Sequence, residues 1–174
     1  MIKEEDILNN ALRQIAHKMV VAARTAPKGR GRNHIKIAIA ELHEIKMLSE
    51  KMKEIGEGRH QQPFLRNAEN ILAAPIVVLI GCMYKSVGLD CGLCGFANCA
   101  ERDLHPASPC VFNPLDLGIA LSSAVGIAAD NRTDNRIMYT IGIAALELNL
   151  LGDEIKMVLG IPLSATSKNP FFDR

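Results

Sequence analysis

Pro75-Ile-Val-Val-Leu-Ile-Gly-Cys82 is the stretch on which the fold turns. An uncharged, largely β-branched run of strand length reads as a strand buried on both faces in the middle of a sheet. Upstream of it, Leu42, Ile45, Leu48, Met52 and Ile55 recur at helical spacing until Gly56 and Gly58 close the segment. Before that, Ile35, Ile37 and Ile39 alternate with Lys36, Ala38 and Ala40, the period of a short strand. Residues 4–24 predict an amphipathic helix. Ile7, Leu8, Leu12, Ile15, Met19 and Val20 supply its apolar face, and Glu4, Glu5 and Asp6 occupy the first turn, where the helix dipole favours acids. Pro27, Gly29 and Gly31 end it. Downstream, 115–130 and 136–151 predict two helices, apolar nearly all round and therefore buried, and Lys156-Met-Val-Leu-Gly-Ile161 predicts a last strand. The sum is one α+β domain over residues 1–174, a layered helix–sheet arrangement with a cysteine-rich insertion at about 84–113.

The 174 residues carry a net charge of +1, which gives no reason to expect a polyanion binder, and five Phe with two Tyr are few for stacking bases. Nucleic acid is therefore not an expected partner. The acidic start does not resemble a signal peptide, and the uncharged run Leu117 to Ala129 is too short to span a bilayer. These features predict a cytoplasmic chain with no membrane span. The apolar helices at 115–151 offer more hydrophobic surface than a small chain covers, which predicts a homodimer formed through them.

Four of the five cysteines fall within twenty residues, as Cys91-Gly-Leu-Cys94-Gly-Phe-Ala-Asn-Cys99 and then Cys110. An odd total clustered in this way is not a secreted disulfide framework and points to a metal cage. Thiolates three residues apart grip one centre if the turn between them is tight. Gly92 and Gly95 permit that turn and free backbone N–H groups to point at sulfur. Four thiolates suit a 4Fe–4S cluster and also suit zinc, for which His105 is a substitute ligand. A zinc ribbon uses two Cys-x2-Cys knuckles, whereas Cys99 and Cys110 make none. Cys82, at the end of a strand, reads as a small buried hydrophobe.

Arg24, Lys28, Arg30 and Arg32, separated by glycines just after a helix, are suited to a phosphate; a solvated basic loop is the competing reading. Asp130, Arg132, Asp134, Asn135 and Arg136 read as a capped turn with local ion pairs, or else as a pocket lining or dimer contact. Lys168, Asn169 and Arg174 either close over a site or form an exposed tail. His17, His34, His43 and His60 show no ligand spacing, and no P-loop, nucleophile elbow or zinc-protease motif is present.

The segments Ala23-Arg-Thr-Ala-Pro-Lys-Gly-Arg-Gly31, Cys91-Gly-Leu-Cys94-Gly95, Asp134-Asn-Arg-Ile-Met-Tyr139, Gly160-Ile-Pro-Leu-Ser164 and Lys168-Asn-Pro-Phe-Phe-Asp-Arg174 resemble a family of uncharacterised prokaryotic proteins containing a ferredoxin domain. That resemblance covers essentially the whole chain and favours iron–sulfur over zinc. The Cys-Gly-x-Cys-Gly-x3-Cys portion is also similar to the four-iron module of corrinoid iron–sulfur proteins, whose fourth cysteine lies further along than Cys110. A second resemblance is to flavin-dependent nitroreductases. Ala22 to Asn33 is similar to their Ala-Pro-Ser-x-x-Asn segment, and the strand at 75–82, the helix from Asp116 and Gly160-Ile-Pro162 follow in a similar order. It implies a nitroreductase-like fold, with an FMN phosphate near Arg24, Thr25, Lys28, Gly29, Arg30 and Asn33. The arginine-rich opening motif of that family is missing here. The expected function is thus a 4Fe–4S electron-transfer protein, possible as an oxidoreductase acting with a redox partner or small molecule. The alternatives are a zinc-stabilised scaffold and an FMN-dependent enzyme.

Overall fold

A computed structural model describes residues 1–172. Four strands, β1 (Ile35–Ala40), β2 (Ile76–Met83), β3 (Asp134–Asn135) and β4 (Ile155–Ser164), form one sheet in the order β1-β2-β4-β3, each neighbouring pair antiparallel. The run at 75–82 is indeed central, paired on both sides and buried from Ile76 to Cys82. Alternation along β2 divides the molecule. Ile76, Val78, Ile80 and Cys82 face a layer made by α1 (Glu4–Thr25) and α5 (Phe112–Asp130), while Val77 and Leu79 face α2 (Leu42–Gly58), α3 (Gln62–Ile71) and α6 (Tyr139–Glu147). The sheet therefore carries two separate apolar cores, one on each face. This is the α+β layered arrangement the sequence predicts.

The structure corrects several boundaries. Residues 136–138 are extended rather than helical: Met138 exchanges both backbone hydrogen bonds with Gly160 of β4, and α6 begins only at Tyr139. The polar link is a turn only at residues 131–132, where Asn131 donates to the Ile127 carbonyl. Asp134 and Asn135 form the sheet's short outer strand against Ser164 and Leu163, and the Asp134 carboxylate accepts from the Thr166 amide and hydroxyl. α3 was not anticipated, although Phe64, Asn67, Ala68 and Ile71 are buried at helical spacing. The tail is no free strap over a site: Phe171 is fully buried in the α2/α3/α6 core and Asn169 accepts from its amide. Arg174 lies outside the described residues.

Helix α5 differs from its expected all-round burial. It buries Leu117, Ala120, Leu121, Ala124 and Ala128 against α1 and the sheet, and leaves Leu115, Gly118 and Ser122 exposed along the opposite side. It also starts at Phe112, earlier than the uncharged run, with Pro114 tolerated in its first turn. Its length and apolar composition meet the requirements of a membrane span. Its packing is that of a core helix, with Asn113 and Asp116 buried near its start.

Candidate functional site

The segment between β2 and α5 is a long excursion closed by two buried polar side chains. Asn113 donates to the Lys85 carbonyl on the outgoing stem (2.8 Å) and accepts from the Cys110 amide on the returning one (2.9 Å). Arg102, 2% exposed, donates to the Tyr84 carbonyl and to the Ser108 carbonyl, again bridging the two stems. Its Nη1 also meets Asp103 at 2.8 Å, and that contact, with a further hydrogen bond from Ser86, holds the Asp103 carboxyl below its usual range. These groups satisfy backbone carbonyls that a loop lifted off the sheet leaves behind.

The four cysteines sit on this excursion: Cys91 exposed, Cys94 and Cys99 half-buried, Cys110 buried. Gly92 and Gly95 both take positive φ, and the Gly95 amide closes a turn onto the Gly92 carbonyl. Asn98 caps the short helix α4 (Cys99–Asp103) through the Glu101 amide. The Asp90 amide donates to Cys99 Sγ at 3.4 Å, and the Asp90 carboxylate accepts from the Cys99 amide. Among the described residues no three His, Cys, Asp or Glu side chains converge on one point. What fits an iron–sulfur centre is therefore the donor set. There are four free thiols, glycine turns between them, an N–H on sulfur, and Arg102 Nε, a buried cationic donor with no hydrogen-bond partner. His105 stacks on Phe96 at 5.0 Å.

Most of the basic loop is engaged; Arg32 is exposed. Lys28 Nζ donates to the carbonyls of Ala23, Arg24 and Ala26, closing the C-terminus of α1 as a cation should. Its pKa is lowered, first by burial and then by the Arg24 charge, against an opposing pull from Asp116. Arg24 donates to Asn33 Oδ1 and to the Ile35 carbonyl, and the Thr25 hydroxyl to the Val21 carbonyl. The Gly29 amide points at both oxygens of Asp116 (3.0 and 3.1 Å). Arg30, in the left-handed region at φ 51°, donates to the Val87 and Gly88 carbonyls. Arg24, Thr25, Lys28 and Asn33 do line one open hollow of about 470 Å³, together with Gly31. However, several donors expected to hold a flavin phosphate, Lys28 Nζ and the Gly29 amide above all, already serve the chain's own acceptors.

Asp116 and Arg102 have no role in the sequence reading, and His34 is assigned none there. Asp116 is 4% exposed; its signal was an isolated acid in an otherwise apolar helix. Arg102 had no signal beyond its place among the cysteines. His34 Nδ1 is buried without a partner, and the imidazole pKa is lowered by burial first and then by Lys85 and Arg32. Cys82 is fully buried; burial, and secondarily Asp116, pushes its thiol up to about 12.

The three-layer domain has the nitroreductase fold. A nitroreductase with bound FMN from Desulfitobacterium hafniense superposes at TM-score 0.58 with 18% identity, over 100% of this chain and 85% of that one. A nitroreductase family protein from Clostridium novyi gives 0.59 with 16% identity, over 88% and 74%. An oxidoreductase containing FMN gives 0.60 with 12% identity, over 90% and 68%. The family itself comes from sequence. The chain is 38% identical over 182 residues to an uncharacterised protein of Archaeoglobus fulgidus, covering 100% of this chain and 97% of that protein. A family model described as "Uncharacterized protein containing a ferredoxin domain (DUF2148)" matches residues 107–174, which include Cys110 but not Cys91, Cys94 or Cys99. The chain belongs to this family of ferredoxin-domain proteins, built on a nitroreductase fold, and its class is that of redox proteins.

Proposed function

We propose that the protein carries a 4Fe–4S cluster on Cys91, Cys94, Cys99 and Cys110 and transfers single electrons through it to a redox partner or small molecule. The observation that carries this reading is the chemistry of the excursion: four free thiols, one of them already accepting a backbone N–H, with glycine turns between them. A bound cluster would supply the redox chemistry. The chain's part is to hold the thiols and to set the potential through burial and N–H···S contacts. The test is anaerobic purification or reconstitution followed by metal analysis and a visible spectrum. About four iron and four sulfide per chain with a broad visible band is the expected result. Zinc in their place, on a colourless protein, sinks the proposal.

A second reading, flavin, is favoured by the shared fold and by the hollow beside Arg24, Lys28 and Asn33, although Lys28 and the Gly29 amide already serve the chain's own acceptors. FMN would have to displace the bonds of Lys28 and Arg30. The same spectrum decides it: if FMN neither co-purifies nor binds at micromolar levels, the reading is dropped.

We also propose a homodimer through the exposed side of α5, where Leu115, Gly118, Ile119 and Ser122 lie on one strip of the helix. Small residues there allow close approach of a second helix, and burying the strip removes apolar area from water. Light scattering is expected to give twice the 19.0 kDa chain mass; a monomer at all working concentrations contradicts it.

A further inference from the structure

Loop 28–31 is bonded to the outgoing stem of the cysteine excursion and to helix α5, in which the returning stem ends. On the outgoing side, Arg30 Nη1 lies 2.5 Å from the Gly88 carbonyl, three residues before Cys91. The two chains touch there closely enough that a Cβ on Gly88 would stand 3.1 Å from the same nitrogen. On the returning side, the Gly29 amide is held by Asp116, and a Cβ on Gly29 would meet the Phe112 ring at 3.1 Å, two residues after Cys110. Arg30 accepts a left-handed backbone, unusual for a residue with a side chain, in making its contact. The loop is pinned at one end by Lys28 on α1, so it ties the excursion to the body of the fold.

We propose that Arg30 is a positioning residue for the metal cage: through Gly88 it sets the outgoing stem against helix α5, which carries the returning stem, and occupancy of the cage in turn tightens loop 28–31. This inference rests on the cysteines binding metal. Coupling of this kind is reciprocal, because whatever the loop contributes to metal affinity the metal returns as order in the loop.

Cobalt(II) is the probe, since its thiolate complexes report ligand set and affinity in one spectrum, and hydrogen exchange of the full-length protein reports the loop. Arg30→Gly removes the guanidinium while suiting the left-handed backbone, so the metal-free fold is left intact. The expected result is cobalt affinity weakened by about tenfold, the scale of an outer-shell partner, with Arg30→Lys recovering part of it. In the wild type, metal loading slows exchange of the Gly29, Gly31 and Arg32 amides, and in Arg30→Gly it does not. Unchanged affinity in Arg30→Gly, or loop amides indifferent to loading while residues 90–101 become protected, overturns the role of Arg30 and leaves the metal site standing. A wild-type protein that takes up neither cobalt nor iron overturns both.

Discussion

Gly142→Ala is expected to abolish folding. Helix α6 lies directly on β4, and a methyl built on Gly142 falls well inside van der Waals contact of the Val158 carbonyl oxygen. The fit is reciprocal: a Cβ on Gly160 would run into the Ile141 side chain from the strand side. Two effects oppose each other. Alanine stabilises a helix interior by about 1 kcal/mol relative to glycine. Against that stands a clash with backbone, which no rotamer relieves, and overpacking costs typically about 1–3 kcal/mol even where side chains can yield. Here the helix itself must lift off the sheet. That withdraws Ile141, Ala144 and Ala145 from the core they share with α2 and α3. A loss above about 5 kcal/mol takes most of the stability of a domain of this size. Thermal or denaturant melting of the purified variant is the measurement. A soluble Gly142→Ala protein melting within a few degrees of wild type would show that α6 does not sit where it is described.

This contact also marks the boundary of what the sequence could yield. The run at 75–82 announced a buried central strand because burial on both faces leaves a one-dimensional signature, an uninterrupted apolar string. α1 and α2 were legible for the corresponding reason: each has one apolar face and one wet one, so burial follows the 3.6 period. Residues 136–138 misled because their state is decided elsewhere. Met138 is extended through its pairing with Gly160, a partner 22 positions away that local spacing cannot reveal. Phe64, Asn67, Ala68 and Ile71 carried a helical signal, but a polar Asn67 sits within it. Its buried side chain is satisfied by the Thr140 hydroxyl on α6. The site divides in the same way. The cysteine spacing gave a reason to propose a common centre, since three cysteines lie within nine residues, but where their thiols stand depends on the turns of the excursion. That the Gly29 amide belongs to Asp116 depends on packing α5 against the loop, whereas Lys28 closes its own helix through carbonyls two to five residues away. A basic, glycine-rich loop looks the same in sequence whether its donors await a phosphate or are already spent.

Single substitutions of the cage cysteines are expected to have the largest effect on cofactor content. Cys91→Ala, Cys94→Ala and Cys99→Ala should each yield protein without a cluster, since four thiolates are the inner coordination of a 4Fe–4S centre and a missing one opens it to water. Cys110 is the demanding case. It lies at the far stem, buried beneath Asn113, whereas Cys91 is exposed at the other end of the excursion. If it closes the cage, Cys110→Ala loses iron as completely as the others. Retention of a full complement of iron in that variant would assign Cys110 to the core and leave the fourth ligand to another group. Cys82→Ala is the control. Its thiol is fully buried and raised to about 12, so at about pH 8 it is protonated, unlike a ligand or nucleophile. Its replacement by alanine is expected to cost about 1–3 kcal/mol of stability and no iron. Alkylation makes the same distinction without mutation. Metal-free native protein should take up iodoacetamide at the exposed Cys91 and the half-buried Cys94 and Cys99, with Cys82 reacting only after denaturation. Protection of all three by metal loading, read peptide by peptide, ties reactivity to the cage; equal labelling with and without metal removes these cysteines from it.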